Sequence, residues 1–553
     1  GVKNTIIGGL AADRLTDADF NTAIGYGTLS TDTLGSKSTA IGAFALEAQN
    51  FTTATATYNV AVGYEAGLSV TTGQYNTLLG GRAGDKITDG DANIAVGVNA
   101  IGTDTLGKYS VAIGMGALQT QNFTTSTDTY NVAVGHNAGL SVTTGIRNVL
   151  VGGLAGDAFT DADFNTAVGH GALSTDTLGS KSVAIGNGAL GTQNYTTATD
   201  VFNTAVGTNA GTAVTTGTNN TLIGGLAGDA LTAAFENTAV GESALGTDTL
   251  GRRTVAIGSG ALQTQNFTTA TNSYNVAVGY DAGVLVTTGT VNTLIGGLSG
   301  DALTTGEENT AVGYQSLGAA TKSDNNVAIG NSALGSLNHT TQTNSYNTAL
   351  GYSAGAAVTT GVENTLIGGL AGDAITSGSS NIIIGQGASG SRIAASQQQV
   401  LGPSVTCVGD NNFTFGAGSA DSNIANGATS ISAPSDQRYK EEIADATAGL
   451  AFIKDLRPVT FKWKKEKDLP TSHRAYVEGS ETRTMNDNTN HGFIAQEVKT
   501  AIDAHSEIKD GFNMWCTDDQ ADGGRQRLAD GALVPMLVKA IQELEARIAV
   551  LEG

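Results

Sequence analysis

Ser435 and Lys440, five residues apart in Ser435-Asp436-Gln437-Arg438-Tyr439-Lys440, are the first residues of this chain to consider for chemistry. A serine hydroxyl attacks poorly until a base takes its proton, and a lysine does so only in its neutral form. Burial and a nearby cation both favour neutral lysine, and Arg438 stands two residues before Lys440. A Ser-x-x-x-x-Lys by itself is a chance-level match, so its meaning depends on what surrounds it. A second kind of chemistry sits in five stretches that open with Asn, then an aromatic or His, then Thr-Thr: Phe51, Phe123, Tyr195, Phe267 and His339 hold the second place. A ring beside hydroxyls can hold a sugar, which makes these candidate receptor loops; the plainer expectation, which we favour, is that each ring caps the edge of a coil. Their Asn-x-Thr triplets match a glycosylation acceptor, but nothing else in the chain points to a eukaryotic secretory route.

An aspartate series at Asp13, Asp85, Asp157, Asp229, Asp301 and Asp373 recurs at one constant interval. Three such carboxylates brought together by three chains could hold a cation. The calcium-binding Gly-Gly-x-Gly-x-Asp spacing is missing, so the favoured reading is a side chain bonding its own turn. Cys407 and Cys516 lie far apart with no CxxC, which argues against a disulfide framework or a zinc site. We therefore expect no metal and no cofactor.

These candidates hang on a repeat. A core of the form Asn-Thr/Val-Ala/Leu-Val/Ile-Gly recurs 22 times from Asn4 to Asn381. The starts Asn4, Asn21, Ser38, Asn59 and Asn76 define 17-, 17-, 21- and 17-residue turns, and that cycle repeats as a 72-residue superperiod. A register that never slips over such a length is the mark of a stacked solenoid. Each core reads as a short strand, and neighbouring residues of a strand face opposite ways. The third position is mostly Ala, becoming Leu at Leu78, Leu150, Leu222, Leu294 and Leu366, while the fourth is Ile, Val or Leu. Both faces are therefore apolar, one lining the coil and the other packing on something else, most simply another copy of the chain. The candidate receptor rings fall in the four-residue insertions of the 21-residue turns.

Motifs such as Asn21-Thr22-Ala23-Ile24-Gly25 and Ser110-Val111-Ala112-Ile113-Gly114 resemble the head repeats of trimeric autotransporter adhesins. That resemblance covers about residues 1–390 and implies a parallel β-roll of three chains packed side by side. The turns are long for that family, and no membrane-anchor barrel follows. The expected fold is mostly β: a trimeric parallel β-solenoid shaft over 1–390, a neck or distal-tip connector over 391–434, and an α+β domain over 435–553. In this reading the period ends after Gly385.

From Ser435 the composition changes. The Ser435–Lys440 stretch is followed by Leu456-Arg457-Pro458-Val459-Thr460-Phe461-Lys462-Trp463-Lys464, then His491-Gly492-Phe493-Ile494-Ala495-Gln496-Glu497-Val498, then a helix from about Leu533. In that order the four resemble the intramolecular chaperone and autoprocessing domain of phage tailspikes, tail fibres and endosialidases. The resemblance implies a domain that trimerises, sets three shafts in register, and cuts itself off before its first serine. On that implication Pro434–Ser435 is the scissile bond, Ser435 the nucleophile and Lys440 its partner, with Asp436, Arg438, His491, Gly492, Gln496 and Glu497 as supporting motif residues. The closing helix carries its own oligomerisation signal. Val534, Leu537, Ile541, Leu544, Ile548 and Leu551 alternate spacings of three and four, a coiled-coil seam of almost three heptads whose Ile and Leu placement by itself leans toward a dimer.

Charge narrows the function. Residues 1–434 hold 12 Lys and Arg against 29 Asp and Glu, which excludes a nucleic-acid surface needing cations to displace phosphate counterions. Nothing reads as a membrane span. The leading reading is a phage tail fibre in the virion tail, assembled in the bacterial cytoplasm. Its expected partners are two further copies of itself, a host-surface glycan or protein receptor, and other tail proteins joined through an N-terminal region expected to precede Gly1. A glycan-degrading tailspike, a bacterial adhesin and an ice-binding array of Thr-Thr-Gly triplets (Thr71-Thr72-Gly73) are the alternatives. Catalysis beyond one self-cleavage is not expected, because glycoside hydrolysis needs a particular carboxylate pair outside the repeat.

Overall fold

A computed structural model describes all residues except 474, 511 and 518–524. The chain divides into two compact units, Gly1–Pro434 and Ser435–Gly553.

The first unit is a β-solenoid. Twenty-three three-residue strands, from Thr5–Ile7 to Gln399–Leu401, pair in parallel and in chain order, and strand β1 (Asn412–Ala417) adds the last parallel rung. At about 4.8 Å per rung, 24 rungs make a stack on the order of 110 Å. The register is the repeat itself: Thr22 pairs with Thr39 across a 17-residue turn, and Thr39 with Val60 across a 21-residue one. Beyond the first strand, where Ile6 is exposed, the third residue of each motif lies inside; Ala112, Leu150, Ala184 and Leu222 are fully buried, whereas fourth-position residues such as Ile113, Ile185 and Ile257 keep about 40% of their surface exposed. One apolar face therefore fills the coil and the other forms a long outer stripe.

The Asn that opens each motif builds a ladder not foreseen from composition. The backbone N–H of Asn148 donates to Asn131 Oδ1 in the turn below (2.9 Å), and its own Nδ2 donates across the coil to the Ala162 carbonyl (2.7 Å). A buried amide left without partners costs about 1–3 kcal/mol, so the ladder satisfies groups that the alanine-rich interior cannot. Where Ser38 replaces Asn, Gln49 steps in, accepting from Asn59 Nδ2 at 2.9 Å and donating to the buried Asp32. Asp104, Asp176 and Asp248 repeat that arrangement with Gln121, Gln193 and Gln265. Burial raises the pKa of Asp248 despite those hydrogen bonds. Beside each of these networks the insertion adds a two-stranded parallel patch, as between Gly35–Ser36 and Thr55–Ala56.

The end of the repeat needs correction. The coil does not stop at Gly385 or at 390: Gln398-Gln399-Val400-Leu401-Gly402 is a further turn, with Ile382 paired to Gln399. Gln398 there takes the ladder position, its N–H donating to Asn381 Oδ1 at 3.0 Å. The end is closed by an antiparallel hairpin of β1 with β2 (Ala420–Ala425), followed by an Asn423–Ser432 bridge.

The second unit is smaller and mixed. In chain order it holds α1 (Leu450–Asp455), β3 (Val459–Phe461), β4 (Asn490–Gly492), α2 (Ala495–Ala504), β5 (Trp515–Thr517), β6 (Gln526–Leu528) and α3 (Val534–Glu552). β3 pairs antiparallel with β4, and β5 with β6. Phe452, Val498, Ile502, Met514 and Leu533 form most of its small buried core.

Candidate functional site

Ser435 opens the second unit, and Asp436 starts the local structure that positions it. Asp436 caps the single 3₁₀ turn Gln437–Tyr439, accepting from the Arg438 N–H at 2.9 Å. That turn brings Lys440 back toward the start, where its Nζ donates to Ser435 Oγ at 2.7 Å. Both side chains are exposed in the single chain. In this contact the ammonium donates; a neutral amine at the same place would accept the hydroxyl proton, which is the direction nucleophilic attack requires.

Arg438 does not play the part expected of it. Its guanidinium closes on Asp436 Oδ2 at 3.0 Å through Nε and 2.5 Å through Nη2. The pair holds the Asp436 carboxyl below the usual carboxylate range. A cation so compensated has little charge left to disfavour a neighbouring ammonium. The structure thus assigns Arg438 and Asp436 to shaping the turn.

The supporting motifs meet one another rather than the Ser–Lys pair. Thr460 of β3 sits opposite His491 of β4, and Val459 opposite Gly492. Arg457, just before β3, pairs with Glu497 in the first turn of α2, Nε to Oε2 at 2.9 Å and a second contact from Nη2 to Oε1. Each partner shifts the other, Glu497 downward and Arg457 upward. The second and third motifs are therefore one structural piece. Among the described residues, neither His491, Gln496 nor Glu497 hydrogen-bonds Ser435 or Lys440 within one chain.

The seam on α3 is open. Val534, Leu537, Ile541, Leu544, Ile548 and Leu551 are between 42% and 85% exposed. Another face of the same helix packs on α1, with Ala540 buried and Glu543 Oε2 accepting from the Leu450 N–H at 2.9 Å. An apolar row this exposed marks an interaction surface.

The candidate receptor loops are corrected. Phe51, Phe123, Tyr195, Phe267 and His339 are only 5–8% exposed. The Phe51 N–H donates to Asp32 at 3.2 Å, drawing the ring under the insertion, and the Tyr195 hydroxyl donates to the Gly217 carbonyl at 2.7 Å. These rings plug the coil edge and present no face to a sugar. In the other aspartate series no group of metal-binding side chains gathers among the described residues. Asp157 and Asp301 are half-buried, burial raises the pKa of each, and Oδ1 of each is buried without a hydrogen-bond partner, so the expected bond to the turn is not made by that oxygen. The buried Asp32 series is hard to separate in sequence because it shares the 72-residue period of the Asp13 series. The signal available was an Asp matched by a Gln one turn later, as Asp32 is by Gln49.

With the geometry in place, the comparison with known families is direct. Residues 435–506 match the chaperone of endosialidase, a peptidase family. The chaperone domain thus begins at Ser435, the first residue of the second compact unit. A β-solenoid shaft joined to it fits a phage tail fibre with a C-terminal chaperone domain, and the match to a peptidase family points to autoproteolysis in that domain. The chain matches no curated protein. No helix among the described residues is long and apolar enough to cross a membrane.

One titrating contact in the chaperone domain gives a prediction. His505 ends α2 with Nε2 against Asp455 Oδ2 at 2.9 Å and Nδ1 against Glu507 Oε1 at 3.1 Å, its ring edge-on to Phe452. Asp455 first, then Glu507, raise its pKa above the ordinary histidine value. A raised folded pKa stabilises below the unfolded value, about 6.5, and the benefit is lost as pH rises through the folded value. The melting transition of the chaperone domain is expected to fall between about pH 6 and pH 8. In His505→Gln that dependence should flatten; an unchanged slope would assign it to other groups.

Proposed function

We propose that the protein is a homotrimeric tail fibre for host-surface recognition, whose chaperone domain aligns the shafts and then removes itself by cutting before Ser435. The observation that carries this reading is the Ser435–Lys440 contact at the first residue of the chaperone domain. In the proposed step, Lys440 takes the Ser435 proton and Oγ attacks the Pro434 carbonyl carbon through a five-membered ring. The C–N bond breaks, the Ser435 amine keeps the proton passed to it, and an ester links Pro434 to Oγ. Water then hydrolyses the ester, leaving a Pro434 carboxylate and a free Ser435.

Trimer formation is supported by two unpartnered apolar surfaces, the α3 seam and the fourth-position stripe of the solenoid. A chaperone is needed because near-identical turns pair out of register at little cost. After release the shaft cannot return along its folding route and is held kinetically. Self-association buries the chaperone domain's Ser–Lys pair in this reading, tying cleavage to assembly. The shaft then acts in the virion, joined to other tail proteins.

Adsorption tests the recognition half. Labelled, processed shaft added to a panel of bacterial strains should deplete from solution with saturation on some strains only, with no shortening of their surface polysaccharides. Uniform non-adsorption would overturn recognition, and released oligosaccharides would favour a degrading tailspike.

A further inference from the structure

The residue just before each ladder position stands on an exposed ridge, held there in the left-handed conformation: Phe20 has φ 60°, Tyr75 61°, Ala92 54° and Tyr109 61°. Over the twelve consecutive turns from Lys3 to Phe202, eleven of these residues are aromatic or cationic. They stack along the ridge. Tyr58 and Tyr75 lie 5.8 Å apart and nearly parallel, as do Tyr109 and Tyr130 at 5.3 Å, and Lys37, Arg147 and Lys181 each sit over the ring of the next turn. Exposed stacking of this kind is found on interaction surfaces, where a ring offers an apolar body and a polar tip.

Ala92 alone interrupts the row. The equivalent residues one superperiod away on either side are Phe20 and Phe164, so the turn itself accepts a ring there. Its absence leaves a slot between the free face of Tyr75 and that of Tyr109, two turns or about 10 Å apart. A flat ring touching both faces would need about 7 Å, from two contacts of about 3.5 Å. The remaining ~3 Å suits a puckered ring with axial hydrogens. At the slot's base, one residue before Ala92 and Tyr109, Asp91 and Lys108 form an ion pair at 2.8 Å, with both side chains partly exposed. Asp91 Oδ1 also accepts from the Gln74 N–H at 2.9 Å, so the pair is held in place and Lys108 keeps ammonium protons to offer a ring hydroxyl.

We propose that this slot clamps one pyranose unit of a host-surface polysaccharide between Tyr75 and Tyr109, with Ala92 as the floor. The proposal rests on the recognition reading above and moves the receptor site from the buried insertion rings to the ridge. The test is an array of bacterial surface polysaccharides built from hexopyranoses, probed with processed shaft and with Ala92→Phe, alongside adsorption of the same samples to cells. Ala92→Phe restores the residue found in equivalent turns and fills the slot. It should bind at least tenfold more weakly while remaining a heat-resistant oligomer of native size; Tyr109→Leu should lose a similar amount. Binding of Ala92→Phe within twofold of the native shaft would overturn the slot and leave recognition standing. No binding of the native shaft to any array member would also overturn it, and adsorption to cells would then point to a protein receptor. Loss of the oligomer in Ala92→Phe with binding retained by Tyr109→Leu would make the slot a contact between copies, overturning the proposal.

Discussion

Replacing Ser435 by Ala is expected to leave the chain whole, whereas on the proposed mechanism the native protein should separate after Pro434. Removing an activated serine nucleophile costs on the order of 10⁶-fold in rate, so no fragment should accumulate in an SDS gel or intact-mass spectrum over days. Lys440 discriminates the mechanism. Its Nζ lies 2.7 Å from Oγ, and loss of a general base costs about 10²–10⁴-fold. Lys440→Arg keeps the charge and the reach, yet a guanidinium stays protonated and cannot accept the hydroxyl proton. If Lys440 is the base, the Arg and Ala variants should be equally slow. If it only orients the hydroxyl, Arg should cleave far faster than Ala. Complete processing of the Ser435→Ala variant would remove the assignment.

Gly152→Ala is expected to break the shaft locally, although alanine is the smallest residue with a side chain. The glycines that follow the strands stack on one another in the same positive-φ conformation. At Gly152 (φ 138°) an added Cβ would lie 2.5 Å from the Gly169 carbonyl oxygen and 2.6 Å from its carbon. Those atoms are backbone, fixed by the pairing of Val149–Val151 with Thr166–Val168, and cannot yield as a side chain would. The conformation alone costs about 1–3 kcal/mol for a residue with Cβ, and the clash adds to it. Gly153 is the control. An added Cβ there meets His170 Cδ2 at an ordinary 3.5 Å, with no positive φ. Gly153→Ala should therefore melt like the native shaft, while Gly152→Ala should unfold earlier and be nicked by protease near residue 152. Solenoid stability is a sum of turns and their interfaces, so distant turns should stay protected. Equal melting of the two variants would count against the stacking argument.

Much of this was legible in order of locality. The alternation of shorter and longer turns set the register, because parallel pairing of equivalent residues is the only way to stack such a repeat with every motif aligned. Two-residue alternation told which side of each strand faces in, since it depends on the strand alone. The helix from Val534 and its seam followed from the three-four spacing. Missed were features that depend on groups in another turn or another motif: the Asn ladder, the Asp32–Gln49 network, the extra turn at Gln398, and the Arg457–Glu497 pair joining two motifs.

The aromatic insertions show the limit most clearly. Phe51 beside Thr52 and Thr53 fits a binding loop as well as the favoured coil-edge cap, and only the fold shows Phe51 buried and the nearby Tyr58 exposed. Sequence determined that this chain is a parallel solenoid joined at Ser435 to a chaperone domain, because both follow from repeated or contiguous residues. Which rings meet solvent, and where Arg438 places its charge, was decided only by the tertiary structure. Burial and ion pairing are set by the neighbouring turn or the far side of a cap, and one turn's sequence does not contain its neighbours.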